Sequence, residues 1–209
     1  MPPEIDAAPD AAAAAGFEQG LVLLALAREA IAGALAAPLP ASPVPAPQLA
    51  APWLRAPGAC FVTLTWQGRL RGCIGSVRAR RPLGDDVRAN ARAAALSDPR
   101  FPPLTAAELP ETRIEVSLLS PASPLPATSE DEALAALRPG IDGVILEYGG
   151  EVHATFLPQV WENLPAPRDF LAHLKHKAGL PPDFWSPALR LHVYTVVKWA
   201  EPVSAPAQG

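Results

Sequence analysis

The pattern of apolar and polar positions predicts helices that alternate with short strands. Apolar residues recur at helical spacing from Phe17 to about Ala37, which indicates an amphipathic helix. Its core-facing stripe is predicted at Phe17, Leu21, Leu24, Ile31 and Leu35. Residues 59–66 and 69–77 are rich in β-branched and aromatic residues and flank the pair Gln67-Gly68. A two-residue turn between two such runs is typical of a β-hairpin.

The rest of the chain continues this mixture of elements. Further helices are predicted at residues 82–96, 129–137 and 168–178, and further strands at 112–120, 144–148, 152–157 and 191–199. Because most of the strands are joined by hairpins and the helices carry apolar faces, the predicted fold class is α+β. We expect mainly antiparallel sheets with helices packed on them.

Proline marks the irregular parts of the chain. Seven prolines between residues 38 and 57 predict a stiff surface connection that contains neither helix nor central strand. Residues 1–15 contain Ala, Pro and acids without periodicity, so we expect a mobile tail there and a second tail at 203–209. Residues 16–202 are then predicted to form a single domain.

Composition narrows the classes of function. The chain has 209 residues, of which 49% are apolar, and its longest apolar run, residues 21–27, is too short to span a membrane. There is no Lys or Arg before Arg28, so the basic start of a secretory signal is missing and a cytoplasmic location is expected. The two cysteines lack a C-x-x-C spacing. We therefore predict a reduced protein without a metal site or a cofactor.

Charge is distributed unevenly along the chain. The net charge is −4, which argues against a general nucleic-acid binder. Residues 69–100 nevertheless contain eight arginines against three acids, a local charge of +5. This basic block is either a solvated arginine surface or a site for a small anion such as a carboxylate or a phosphate.

The strongest candidate for chemistry is the run Arg-Leu-Arg-Gly-Cys-Ile-Gly-Ser at residues 69–76. Strict alternation along a strand would place Arg71 beside Cys73 on one face. A guanidinium close to a thiol favours the thiolate, and Gly75 would leave the next position on that face open to a substrate. The alternative is that Cys73 is a small hydrophobic residue of the core.

The register of the hairpin predicts how far Cys73 is buried. Counting outward from the Gln67-Gly68 turn places Val62 opposite Cys73, and therefore Cys60 diagonal to Cys73 on the same face. Diagonal positions are about 7–8 Å apart, which is too far for an unstrained disulfide. Because this face would be partly apolar, we expect Cys73 to be half-buried.

Leu70-Arg-Gly-Cys-Ile-Gly75 resembles the hallmark motif of the AMMECR domain family. Other blocks resemble the family in the same order: 82–87 with Asn90, 98–103, 108–109, 115–117, 157–160 and 177–180. The resemblance covers residues 16–202, and the proline-rich segment 38–57 looks like a local elaboration. Within the family, the chain looks most like the bacterial branch called AmmeMemoRadiSam system protein A.

The resemblance implies an α+β fold with a small subdomain beside the main domain. It implies a site at Cys73 and Arg71, the catalytic candidates, together with the motif residues Leu70, Gly72, Ile74 and Gly75. Candidate substrate-binding residues carried over from the other blocks are Asn90, Arg100, Glu115 and Lys177. The implied partners are a Memo-like protein and a radical S-adenosylmethionine (radical SAM) protein.

Two functions are compatible with these residues. In the first, Cys73 is activated by Arg71 and acts on a small anionic substrate. In the second, the protein is a noncatalytic binding or scaffold module that docks a substrate or partner proteins, and Cys73 is a core residue. The other candidates also have structural interpretations, such as an ion pair between Arg100 and Asp98 or a helix-end role for Lys177.

Overall fold

The computed structural model describes residues 11–39, 42, 44–150 and 152–202. The chain divides into two compact units, Met1–Leu118 with Lys198–Gly209, and Leu119–Val197. The helices are α1 (Ala11–Leu35), α2 (Ala46–Leu49), α3 (Leu83–Leu96), α4 (Glu130–Ala136) and α5 (Pro167–Lys177). The strands are β1 (Pro57–Trp66), β2 (Arg69–Gly75), β3 (Arg81–Pro82), β4 (Thr112–Leu119), β5 (Ser123–Pro124), β6 (Gly143–Tyr148), β7 (Val152–Phe156), β8 (Arg190–Tyr194) and β9 (Val196–Ala200). The predicted α+β class is confirmed.

The first unit is built on a sheet with the strand order β2-β1-β4-β9, and β3 adds to β1. Alternate residues of its central strands, such as Val62, Leu64, Ile114 and Val116, are fully buried. They form one core cluster with apolar residues of α1 and α3. The predicted helix at 82–96 is confirmed, since α3 begins one residue later and ends at the same residue.

Helix α1 is longer than predicted and faces the core differently. It begins at Ala11, so residues 11–15 are helical rather than part of a tail. Leu24 and Ile31 are buried as predicted, whereas Phe17 is 63% exposed and Leu21 is 39% exposed. Every residue from 21 to 27 is apolar, and such a run does not specify which side of a helix faces the core.

The proline-rich segment is partly helical, which corrects the prediction for residues 38–57. Helix α2 contains Pro47 in its first turn. Backbone N–H groups in the first turn make no hydrogen bond within the helix, so proline, which has no N–H, is tolerated there. Val44 and Leu54 are buried in the core of the first unit, so this segment is more than a surface connection. Residues 40, 41 and 43 lie outside the described residues.

The β1–β2 hairpin has the predicted turn but not the predicted register. Trp66 pairs with Arg69 as expected, but a β-bulge shifts the register between Leu64 and Thr65. Thr63 therefore lies opposite Cys73, in place of the predicted Val62. One extra residue on one strand moves every later residue of that strand to the opposite face of the sheet. A register counted residue by residue from the turn does not detect such an insertion.

The second unit contains a sheet with the strand order β5-β8-β6-β7. The predicted hairpin of β6 and β7 is confirmed, with Gly149 and Gly150 at positive φ in its turn. Helices α4 and α5 pack on a separate core, in which Trp161 stacks on Phe170 at 3.7 Å between ring centroids. Lys175 is fully buried and donates a 2.9 Å hydrogen bond to Glu130.

Two expectations concern the chain ends and the membrane. Residues 1–10 and 203–209, most of the expected tails, lie outside the described residues. Within the residues that the structure describes, no helix is both long enough and apolar enough to cross a bilayer.

Candidate cysteine site

Cys73 lies on β2, the edge strand of the first sheet, and is half-exposed. Its backbone N–H donates to Asp98 Oδ2 at 2.9 Å, and its carbonyl oxygen accepts from Arg100 Nη2 at 3.0 Å. The Thr63 hydroxyl, across the hairpin, donates to Cys73 Sγ at 3.4 Å. The loop that contains Asp98 and Arg100 therefore makes hydrogen bonds to the outer edge of β2, where a further strand would otherwise pair.

Asp98 and Arg100 form the ion pair that holds this edge. Asp98 is buried and accepts hydrogen bonds from Nε and Nη2 of Arg100 at 2.9 and 2.7 Å. These bonds, with those from the backbone N–H groups of Cys73 and Arg100, hold the pKa of Asp98 well below its ordinary value despite burial. The pKa of Arg100 is raised, first by its hydrogen bonds to Asp98 and also by its electrostatic interaction with Cys73. The predicted structural pairing of Arg100 with Asp98 is confirmed.

Arg71 is directed to a different partner. Its side chain is buried against residues 102–108, where Nε and Nη2 donate to the two carboxylate oxygens of Glu108 at 3.0 and 3.2 Å. Nη1 donates to the Pro102 carbonyl at 2.7 Å. Hydrogen bonds from Arg71 lower the pKa of Glu108 to about 2. Arg71 is the extra residue of the bulge, so the alternation that placed it beside Cys73 does not hold. The arginine that contacts Cys73, at its carbonyl oxygen, is Arg100.

The two glycines of the motif allow close packing. A Cβ on Gly72 would lie 2.1 Å from the carbonyl oxygen of Ala94, so this glycine lets α3 approach β2. A Cβ on Gly75 would lie 2.2 Å from the ring of Phe61. The space over Gly75 that we expected to be open to a substrate is thus filled by Phe61. Of the other motif residues, Leu70 is 46% exposed and Ile74 packs against the core.

Asn90 belongs to a buried polar network centred on Asp86. Its Nδ2 donates to Asp86 Oδ2 at 2.9 Å and to the Cys60 carbonyl at 3.0 Å. Ser76 and Arg81 donate to Asp86 Oδ1 at 2.8 and 2.7 Å. Our sequence reasoning missed Asp86, Ser76 and Arg81. The signal for them was the four-residue spacing of Asp86 and Asn90, two polar residues on one face of an alanine-rich helix.

The two cysteines lie on opposite faces of the hairpin. Cys60 is fully buried with Val62 in the core, whereas Cys73 pairs with Thr63 on the other face. The expected diagonal placement of the cysteines on one face is therefore wrong. The Cys60 thiol contacts Asp86 Oδ2 at 3.3 Å. Burial, followed by the charge of Asp86, raises the pKa of Cys60, so its thiol stays protonated and unreactive.

Two candidates remain, one in each unit. Glu115 is half-exposed on β4, and its carboxylate has no hydrogen-bond partner among the described residues. Lys177, in the second unit, donates to the Thr155 carbonyl at 3.0 Å and lies 5.2 Å from the centre of the Phe156 ring. Over the described ranges, no group of three or more His, Cys, Asp or Glu side chains could hold a metal ion.

The contacts around Cys73 permit two kinds of chemistry. The Cys73 thiol is half-exposed and accepts a hydrogen bond from the Thr63 hydroxyl, so a small molecule in solution can reach it. The side chain of Arg100 is 54% exposed, so its guanidinium can also bind an anion from solution. The arrangement therefore suits a cysteine that reacts with, or lies beside, a small anionic molecule.

Comparison with known proteins agrees with the motif. The sequence model of the AMMECR1 family matches residues 24–199. A protein of Methanothermobacter thermautotrophicus is 41% identical over 138 residues, which are 63% of this chain and 69% of that protein. Protein MJ0810 of Methanocaldococcus jannaschii is 41% identical over 60% of this chain. The chain spans 64% of the length of MJ0810 and 59% of that of a Sulfolobus acidocaldarius relative.

A solved structure matches the fold. The crystal structure of the uncharacterised protein PH0010 from Pyrococcus horikoshii superimposes with a TM-score of 0.74 at 33% sequence identity. The match covers 88% of this chain and 92% of that chain. Together with the family match over most of the sequence, this shows that the chain belongs to the AMMECR1 family.

Proposed function

We propose that this protein is a cysteine-dependent enzyme that acts on a small anionic substrate through Cys73. The observation that supports it is the environment of the thiol, which is half-exposed, has the Thr63 hydroxyl at 3.4 Å, and belongs to a residue whose carbonyl oxygen accepts from Arg100 at 3.0 Å. In this proposal Arg100, not Arg71, is the cation of the site, because the guanidinium of Arg71 is engaged by Glu108 and Pro102. On the resemblance to the AmmeMemoRadiSam branch, we further propose that the enzyme works in a system with a Memo-like protein and a radical SAM protein.

The proposed step is the addition of Cys73 to an electrophilic carbonyl carbon. A bond forms between Sγ and that carbon, the π electrons of the carbonyl move to its oxygen, and the thiol proton goes to solvent. Arg100 attracts the anionic group of the substrate and stabilises the negative charge that develops on the oxygen. Thr63 stabilises the thiolate before attack.

Alkylation rates test this proposal without a known substrate. The rate at Cys73 is measured by mass spectrometry at pH 7 with iodoacetamide, which is neutral, and with iodoacetate, which is anionic. Glutathione provides the reference for an ordinary thiol. We expect Cys73 to react about tenfold faster than glutathione, and its iodoacetate-to-iodoacetamide ratio to exceed that of glutathione, because Arg100 favours both the thiolate and the anionic reagent.

Matched variants assign the effect to Arg100. Arg100→Gln is expected to lower the iodoacetate-to-iodoacetamide ratio to that of glutathione, whereas Arg92→Gln, which alters an exposed arginine of α3, leaves it unchanged. Cys60 serves as an internal control that stays unmodified in the folded protein. A Cys73 that reacts no faster than glutathione, with no preference for the anionic reagent, rules the enzyme proposal out.

The noncatalytic scaffold is a second candidate, and the packing of the motif favours it. Arg71, Gly72 and Gly75 are all used to hold neighbouring parts of the first unit together. If the motif serves only this purpose, the Cys73→Ser variant binds the purified Memo-like and radical SAM proteins as tightly as the wild type, and alkylation of Cys73 is ordinary. Absence of binding by either form at low ionic strength counts against the scaffold.

A further inference from the structure

The second unit contains a groove of about 660 Å³ beside the pairing of β5 with β8. A volume of roughly 300–1,000 Å³ is typical of sites that hold a small molecule. The lining comes from two segments: Pro124, Leu125, Pro126, Ala127 and Thr128 on one side, and Trp185, Ser186, Pro187, Leu189, Arg190, Leu191 and His192 on the other. Apolar side chains form most of this surface.

Hydrogen bonds fix the two walls of the groove relative to each other. The Leu125 backbone N–H donates to the Leu191 carbonyl at 2.8 Å, and the indole N–H of Trp185 donates to the Thr128 carbonyl at 3.3 Å. Trp185 and Leu189 also belong to the core cluster of this unit. The groove is therefore formed before a ligand arrives, which lowers the entropic cost of binding.

The ionisable side chains that line the groove are basic. Arg190 and His192 are the ionisable residues among the described residues that line the groove, and none of those residues is Asp or Glu. Nη1 of Arg190 donates to the carbonyls of Pro187 and Leu189 at 2.6 and 3.2 Å, which orients the guanidinium while Nε and Nη2 have no partner among the described residues. Glu147 lies opposite Arg190 in the β6–β8 register but outside the lining.

We propose that this groove binds a small carboxylate with a flat apolar body. The free edge of the Arg190 guanidinium, Nε and Nη2, matches the two oxygens of a carboxylate, and the half-buried His192 ring adds an N–H donor. The leucines and the indole of Trp185 contact the apolar body. The groove shares no residue with the Cys73 site, so this proposal does not depend on the function proposed above.

Calorimetric titration of the full chain tests this site. The probes are naphthalene-2-carboxylate and its neutral counterpart naphthalene-2-carboxamide, which differ in charge but not in their ring system. We expect saturable one-to-one binding of the carboxylate and affinity about tenfold weaker for the amide, which corresponds to about 1.4 kcal/mol. Amide chemical shifts of residues 124–128 and 185–192 should change on titration.

Three variants separate charge from shape. Arg190→Gln is expected to reduce carboxylate affinity to that of the amide, and Trp185→Leu to weaken both probes. Arg168→Gln, at an exposed arginine of the same unit that lies 3.5 Å from Asp131, serves as the charge-matched control and leaves binding unchanged. Equal affinity for the two probes, or carboxylate binding that Arg190→Gln does not weaken, overturns the proposal.

Discussion

At the scale of single residues, the position of Cys73 depends on side chains that a loop contributes. At the edge of the sheet, Asp98 accepts a hydrogen bond from the backbone N–H of Cys73, and Arg100 donates one to its carbonyl oxygen. An edge strand with unpaired groups can pair with another chain, and an ion pair on those groups blocks such pairing. The same pair brings a cation to the thiol, so one loop both protects the strand and sets the charge near Cys73.

The candidate site could be predicted only in part. The motif identified Cys73, and the block at 98–103 identified Arg100. The predicted position of Arg71 beside Cys73 was wrong because a bulge is an insertion in one strand relative to its partner, and residue types alone do not mark where it falls. Asn90 was predicted to bind a substrate, which stays a prediction; the structure places it against Asp86, a contact that depends on how α3 packs on β1.

The ion pair of Arg71 and Glu108 gives a pH-dependent prediction. The pKa of Glu108 is lowered from 4.5 to about 2, so its stabilising effect is complete above pH 4.5 and is lost as the pH falls towards 2. In urea unfolding, the wild type should lose about 2 kcal/mol more than Glu108→Gln between pH 5 and pH 2, a value reduced for partial exposure of the carboxylate.

A control variant isolates this effect. Glu18→Gln, at an exposed residue of α1, should retain the pH dependence of the wild type. At pH 7, Glu108→Gln should also be destabilised, because the buried Arg71 guanidinium loses its counterion. Identical pH dependence in Glu108→Gln and the wild type would show that the ion pair contributes nothing to stability.

At the scale of elements, the packing of α3 on β2 depends on a position without a side chain. In Gly72→Ala the new Cβ would lie 2.1 Å from the Ala94 carbonyl oxygen, so backbone must shift. We expect a loss of about 1–3 kcal/mol in the free energy of unfolding, measured by urea titration. Gly33→Ala is the matched control on α1: nothing lies within 4 Å of its new Cβ, and the change should stabilise the helix by about 0.5–1 kcal/mol. A neutral Gly72→Ala contradicts the packing role.

Most elements were predictable because their patterns are local. Capping boxes marked Thr105–Glu108 and the start of α4. The structure contains both expected bonds between Thr105 and Glu108. At α4 the Glu132 N–H donates to Ser129 Oγ as expected, whereas the Glu132 carboxylate accepts from Thr128. The failures arose where tertiary contacts decide the outcome. The face that α1 buries and the short helix α2 both depend on what the rest of the chain packs against them.

At the scale of the whole molecule, the sequence predicted one domain over 16–202 with a small subdomain, and the contacts divide the chain into two units. Composition marks only one end of the second unit, because a Pro- and Ser-rich run follows residue 119 at 120–129, whereas no comparable run stands at residue 197. Each unit has its own sheet and its own buried cluster. Separate cores indicate that each unit carries the interactions that stabilise it.

The second unit should therefore fold as the isolated fragment Leu119–Val197. Its ends are joined by hydrogen bonds between Ser120 and Thr195 at 2.9 and 3.0 Å, so excision leaves a closed structure. We expect dispersed amide resonances and a cooperative thermal transition, since the stacked Trp161 and Phe170 remain in its core. Phe170→Ala should abolish the transition by removing about 3–5 kcal/mol from a small core. A fragment with random-coil resonances, under conditions where the full chain is folded, would show that this core is insufficient by itself.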